Sequence, residues 1–262
     1  MLASQPISSF VDLPRPAIIA HRGSSAYAPE NTLSAFKLAV EQGADAIELD
    51  AKLSADGQVV IMHDETVDRT TDGTGPVRSL SLEELKRLDA GSKFAPLHQP
   101  EKVPTLTEVL EAVGDKILIN IELTNYSSPL DDLPAKVAAL AKESNLEKKV
   151  MISSFNIIAL VKAHSLLPDT HLGLLTFTGL ARLTFRSRLF HFGPLFSMNP
   201  AFNDVTPTLV AAIHRTNSQV YTYTVNQAGI MRKVIHAGVD GIFTDDPLLG
   251  QKTRIEGGVI NP

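Results

Sequence analysis

Glu48 and Asp50 lie in the run Ala46-Ile47-Glu48-Leu49-Asp50, where apolar and acidic side chains alternate. That period belongs to a strand, so both carboxylates share one face and Ile47 and Leu49 the other. Asp56-Gly57 is a two-residue hairpin signal, because both central positions of such a turn prefer positive φ. Folding about it pairs Ala55 with Gln58 and sets Asp50 opposite His63, at the end of the apolar return run 58–62. Directly opposed residues share a face, so two acids and an imidazole are expected at one spot. Taken alone, the stretch suits a functional site and a charged edge that discourages aggregation equally well.

The surrounding elements decide between these. Residues 17–20 form a short buried-type strand leading into His21-Arg22-Gly23, and 31–42 a helix for which Asn31 or Thr32 serves as N-cap. Residues 65–104 break the rhythm, with a turn-rich start, a short helix over 82–88 and an irregular end. They read as an insertion packed over one mouth of the fold. Helix resumes over 106–113. Strands then follow over 117–123, 150–153, 171–175, 195–198, 219–224 and 241–243. Helices alternate with them over 133–144, 155–166, 179–190, 207–215 and 228–237, with a last one from Asp246-Pro247. Leaving out the hairpin's return strand, this makes eight strands, each followed by a helix. The fold class is α/β, a closed (β/α)8 or TIM barrel of parallel strands, typically about 250 residues long. A doubly wound open sheet is the alternative, but no Gly-x-Gly-x-x-Gly follows the first strand.

A barrel of this kind works at the C-terminal ends of its strands. Those ends carry His21-Arg22, then Glu48 and Asp50, then Glu122, with His63 joining through the hairpin. Like-charged carboxylates repel and raise one another's pKa unless something compensates them. A hard divalent cation held by oxygens, Ca2+ or Mg2+, is the economical compensation. Three carboxylates and a dication leave one negative charge. Arg22 cancels it and offers a fork suited to phosphate. Two histidines remain to give and take protons near neutral pH. The set suits phosphoryl transfer.

The chain of 262 residues, 44% hydrophobic and 20% charged, suits a single barrel domain over 1–262 containing the insertion. A net charge of −5 gives no electrostatic footprint for nucleic acid, and zero cysteines exclude disulfides and thiolate ligands. The first 16 residues lack a basic n-region and an apolar h-region, and no segment approaches the ~20 apolar residues of a membrane span. The expectation is a cytoplasmic protein with a small-molecule substrate and no membrane insertion.

Ordered runs along residues 17–248 resemble the glycerophosphodiester phosphodiesterase family, among the phosphatidylinositol phospholipase C-like phosphodiesterase barrels. These runs are His21-Arg22-Gly23, Pro29-Glu30-Asn31-Thr32, Gly43-Ala44-Asp45 with Ile47-Glu48-Leu49-Asp50, Asp56-Gly57 and His63-Asp64. They continue with Arg69-Thr70-Thr71, Leu88-Asp89-Ala90-Gly91, Pro104-Thr105-Leu106, Ser154-Phe155, Thr224-Val225-Asn226 and Asp240-Gly241-Ile242-Phe243-Thr244-Asp245. The resemblance implies a barrel with an inserted segment and metal-dependent release of an alcohol and sn-glycerol 3-phosphate. It implies His21 and His63 as the acid–base pair and Glu48, Asp50 and Glu122 as metal ligands. Two positions depart from the family's pattern. Thr124 stands where a lysine is usual, with Lys52 as the candidate compensating cation, and Tyr223 replaces a tryptophan, keeping a flat wall on the substrate side. Two other readings are a lysophospholipase D-like hydrolase, which would want an apolar entrance, and a weakened barrel that binds phosphodiesters without cleaving them. His98, His164, His171, His191, His214 and His236 have no acidic partner at ligand spacing and are assigned to surface or packing roles. The Phe- and Arg-rich stretch 182–202 is expected to serve the barrel wall, and Phe94 suits the pocket or plain packing.

Overall fold

Short runs rich in Ile, Val and Leu become strands in the computed structural model, which describes residues 8–98, 100–186 and 195–256. In chain order the first are β1 (Ala17–Ala20), β2 (Ala46–Leu53), β3 (Val59–Ile61), β4 (Leu118–Leu123) and β5 (Val150–Ser154). Then come β6 (His171–Thr176), β7 (Ser197–Pro200), β8 (Gln219–Thr222) and β9 (Gly241–Thr244). All but β3 pair in parallel, in the order β1-β2-β4-β5-β6-β7-β8-β9, and β9 pairs back to β1 to close the ring. The helices covering it are α1 (Leu33–Glu41), α2 (Leu82–Arg87), α3 (Leu106–Val113), α4 (Leu133–Glu143) and α5 (Ile157–Leu166). The rest are α6 (Ala181–Arg186), α7 (Pro207–His214), α8 (Ala228–His236) and α9 (Pro247–Glu256). The expected closed eight-stranded barrel is present.

Outward strand residues such as Ile47, Leu49, Ile121, Ile152 and Ile242 pack against the inner faces of the helices in one continuous core. Inside the barrel the filling is layered. Phe10, Leu13, Ile19, Leu118, Met151, Tyr221 and Phe243 form a separate apolar plug at the N-terminal end. The acids Glu48, Asp50 and Glu122 lie toward the opposite mouth. A third cluster, Val60, Met62, Val67, Val77, Leu85, Ala90 and Val103, gives residues 65–104 an apolar nucleus of their own against β3. Capping boxes at Ser81–Glu84 and Thr105–Glu108 start α2 and α3.

The hairpin differs from the expected register by one residue. Leu53 faces Val59 and Ala51 faces Ile61, so Asp50 lies opposite Met62, whose N–H donates to the Asp50 carbonyl at 2.9 Å. Asp50 and His63 are not a cross-strand pair. The cause lies in the turn. Ser54 N–H donates to the Gln58 carbonyl at 3.0 Å, leaving Ala55-Asp56-Gly57 as a three-residue loop with only Gly57 at positive φ. Asp56 Oδ1 accepts from the Ser54 hydroxyl and from Leu82 N–H at 3.0 Å, so its side chain ties the turn to α2. Three further boundaries move. β7 starts two residues later than expected and β8 ends at Thr222. α6 starts at Ala181 rather than at 179 and is described as far as Arg186, and positions 187–190 of the expected helix lie outside the described residues.

Gly23 is required by the turn that follows β1. It sits at φ +80, and a Cβ there would stand 2.6 Å from the Ala35 carbonyl carbon. Left-handed strain and a backbone clash add, so Gly23→Ala is expected to cost about 3 kcal/mol. Calorimetry should show this as a fall in Tm of roughly 6–12 °C.

Candidate active site

Adjacent parallel strands set the acidic cluster. In the register of β2 and β4, Asp50 lies beside Glu122 and Glu48 beside Asn120, with all four turned inward. Carboxylate oxygens of Glu48, Asp50 and Glu122 come within 4.8 Å of one another. Glu48 and Asp50 are buried and Glu122 is half-buried. Each acid is held by a neutral donor. Glu48 Oε2 accepts from Arg22 N–H at 2.9 Å, Asp50 Oδ2 from the Asn31 amide at 2.8 Å, and Glu122 Oε1 from the Tyr126 hydroxyl. Glu48 Oε1 is buried with no partner. Burial, then the nearby Asp50 and Glu122, push the Glu48 carboxyl well above the usual range; burial and Asp50 do the same to Glu122. An all-oxygen donor set with one orphaned carboxylate oxygen fits a hard divalent cation.

The loop after β1 brings the cation of the site. Arg22 and Asn31 both adopt left-handed backbone, φ +56 and +59, so the chain curls back over the barrel mouth. Asn31 is not the helix cap: its side chain is taken by Asp50, and Thr32 caps α1 by accepting from Ala35 N–H at 3.3 Å. Arg22 Nε stands 3.3 Å from Asp50 Oδ2, and its Nη1 donates to Glu30 at 2.8 Å. Burial alone would lower the Arg22 pKa, but Asp50, Glu30 and Glu48 raise it.

Each histidine is oriented by a carboxylate. His21 Nδ1 lies 2.6 Å from Asp245, at the end of β9, and His63 Nδ1 lies 2.7 Å from Asp64. Burial alone would raise the Asp245 pKa, but His21 and Asn226 hold it below the usual range. Arg69 and then His63 hold Asp64 far below it. Both carboxylates are therefore acceptors, Nδ1 donates in each pair, and each Nε2 is left for proton exchange. A cavity of about 230 Å3 opens at this mouth, with His21, Arg22, Glu48, His63, Glu122 and Tyr223 on its wall.

Seven of the eight residues singled out in the sequence converge here, Asp50 as the partner of Arg22 and Glu122. Lys52 shares their strand face but lines a neighbouring cleft, where Nζ contacts Glu65 at 3.2 Å and the Thr124 carbonyl at 3.0 Å. Phe94 also lines a separate cleft, beside Arg69 and Lys93. His214 does have an acidic partner, Asp240 at 2.7 Å, near the start of β9 and away from the cavity. His171 stacks on Phe196, and His191 lies outside the described residues. The sequence alone gives no role to Asp245, Asp64 or Tyr126. Asp245 ends a barrel strand, the same signal that identified His21 and Glu122. Nothing local marks Tyr126, whose role depends on a loop turning back over Glu122.

A family model described as the glycerophosphoryl diester phosphodiesterase family matches residues 21–249. A glycerophosphodiester phosphodiesterase of Caldanaerobacter subterraneus is 43% identical over 234 residues, covering 88% of this chain and 94% of that one. One from Bacillus altitudinis is 36% identical over 243 residues, covering 91% and 98%. Among solved structures, an Oleispira antarctica phosphodiesterase in complex with the product sn-glycerol-3-phosphate superposes with a TM-score of 0.82 at 32% identity. That match covers 91% of this chain and 96% of the other. A barrel with this cleft belongs to the phosphodiesterases. The chain is a member of the glycerophosphodiester phosphodiesterase family, as its motifs suggest. Among the described residues no helix is long and apolar enough to cross a membrane.

The acidic cluster yields a prediction. Glu48→Gln removes a buried carboxyl crowded by Asp50 and Glu122, so its Tm in chelator should equal or exceed the wild type's. Ca2+ or Mg2+ should raise the Tm of the wild type, and that rise should be lost or strongly reduced in the variant. Because Glu48 and Glu122 keep their protons to unusually high pH, cation affinity should weaken as pH falls from 8 to 6, measurable by calorimetric titration.

Proposed function

We propose that the protein hydrolyses glycerophosphodiesters to an alcohol and sn-glycerol 3-phosphate, using His21 and His63 for proton transfer. A divalent cation, Ca2+ or Mg2+, is assigned to Glu48, Asp50 and Glu122. The observation that carries the reading is the convergence on one cavity of two carboxylate-oriented imidazoles, a buried guanidinium and a three-acid cluster. When bound, the cation supplies Lewis-acid polarisation of a phosphoryl oxygen.

The chain's own residues account for the rest. Arg22, held between Glu30 and Asp50, lines the cavity, where its guanidinium suits a phosphoryl oxygen. One imidazole Nε2 takes the proton of the neighbouring glycerol hydroxyl as its oxygen bonds to phosphorus. The other protonates the departing alkoxide as the old P–O bond breaks. Water then opens the resulting cyclic phosphate with the two roles exchanged, which returns both imidazoles to their starting states. Tyr223 is assigned to the substrate wall: its hydroxyl donates to the Thr176 carbonyl at 2.7 Å, so the ring is what the cavity meets. Lys52 is retained as a substrate-side cation that would have to leave Glu65 to reach phosphate; where it stands, it opposes the rise in the Glu122 pKa.

A second reading, cleavage of lysophospholipids, is favoured by one observation. Phe155 on the cavity wall stacks on Phe177 at 4.4 Å and meets Tyr126 edge-on at 5.7 Å. Phe177 is 61% exposed, so apolar surface runs from the cavity to solvent. That is the apolar entrance such a substrate needs.

Glycerophosphocholine tests the main reading. The wild type should release glycerol 3-phosphate, chelator should stop the release, and His21→Ala or His63→Ala should slow it by ~10²–10⁴-fold. Intact binding without turnover would instead mark a barrel that only holds phosphodiesters. Lysophosphatidylcholine tests the second reading: if the aromatic entrance takes an acyl chain, Phe177→Ser should raise KM for that substrate and leave glycerophosphocholine unaffected.

A further inference from the structure

Arg69 belongs to the insertion, outside the barrel, yet its guanidinium donates to two carboxylates at once. Nε and Nη2 meet Asp64 at 2.7 and 3.0 Å, and Nη1 and Nη2 meet Glu30 at 2.7 and 2.8 Å. Asp64 orients His63, and Glu30 holds Arg22, which in turn faces Asp50. The charges alternate along Asp64, Arg69, Glu30, Arg22 and Asp50, with His63 at one end. Arg69 is 48% exposed on its side chain. Exposed ion pairs stabilise measurably only where the geometry is bidentate or networked, and Arg69 has both. The insertion, however, already has an apolar nucleus attached to β3. Holding the insertion in place could use any exposed acids; the two gripped here are the one that orients His63 and the one that holds Arg22.

We propose that Arg69 is a positioning residue for the reaction: by gripping Asp64 and Glu30 together it aims the His63 imidazole and the Arg22 guanidinium into the same cavity. The proposal rests on the phosphodiesterase reading for its consequence in turnover, but the link from Arg69 to His63 is readable without it. His63 is faced by Asp64 from its own segment, by Arg69 and, through it, Glu30. Across the cavity are His21, Arg22, Glu48 and Glu122. Removing the Arg69 charge leaves Asp64 uncompensated beside the imidazole, which favours the imidazolium. The His63 titration must then move to higher pH. A lysine keeps the charge but cannot fork onto two carboxylates, so it should preserve the titration and lose the aim.

The test uses the full chain as wild type, Arg69→Gln and Arg69→Lys. His63 is titrated by imidazole NMR in the presence of chelator, and turnover of glycerophosphocholine is followed in parallel with Tm. Arg69→Gln is expected to raise the His63 midpoint and to lower kcat by about 10–100-fold with folding intact. Arg69→Lys is expected to return the midpoint towards wild type while kcat stays at least about tenfold low. An unmoved midpoint in Arg69→Gln overturns the proposal, whatever happens to turnover. Wild-type turnover in Arg69→Lys overturns it too, even should the glutamine variant fail to fold. A wild type that binds but never cleaves glycerophosphocholine would refute the phosphodiesterase reading instead, with the NMR arm still deciding whether Arg69 governs His63.

Discussion

Three carboxylates forced together by strand register are the constraint around which this mouth of the barrel is built. Burying one unpaired charge costs several kcal/mol, and the pairing of β2 with β4 brings three acids within 4.8 Å. The surroundings offset that cost with donors rather than with apolar walls: the Arg22 backbone for Glu48, the Asn31 amide for Asp50, the Tyr126 hydroxyl for Glu122. The arrangement still leaves Glu48 Oε1 without a partner. A cluster of acids left short by one partner has the donor set that fits a hard cation. The left-handed turns at Arg22 and Asn31 serve the same end, since extended backbone would carry both side chains away from the acids.

The two imidazoles have different supports. His21 leans on Asp245, at the end of a barrel strand and steadied by the neutral Asn226. His63 leans on Asp64, which is steadied by a guanidinium from the insertion. One imidazole is thus supported wholly by the barrel, while the other depends on a segment laid across it.

Much of this was legible in the sequence because barrels obey a simple rule: catalytic groups follow the strand ends. The alternation at 46–50 placed Glu48 and Asp50 together on one face, and strand counting brought Glu122 beside them. The hairpin register was harder to read. A two- and a three-residue loop share the Asp-Gly signal, and the three-residue loop is held by Ser54 within the turn and by a distant contact, Asp56 with Leu82 N–H. His63 nevertheless reaches the cavity, because the irregular chain beyond β3 carries it there after the ladder has ended. Asn31 read as a cap because its neighbour Thr32 is one; only its positive φ separates their roles. Pairings such as Tyr126 with Glu122 join loops across the mouth and leave no periodic trace in the chain.

The separate apolar nucleus beneath residues 65–104 makes that segment a cassette. It departs and returns at neighbouring points of the scaffold, since Val60 bridges directly to Thr105. Because its packing is its own, such a cap can change in sequence and length without repacking the barrel beneath it.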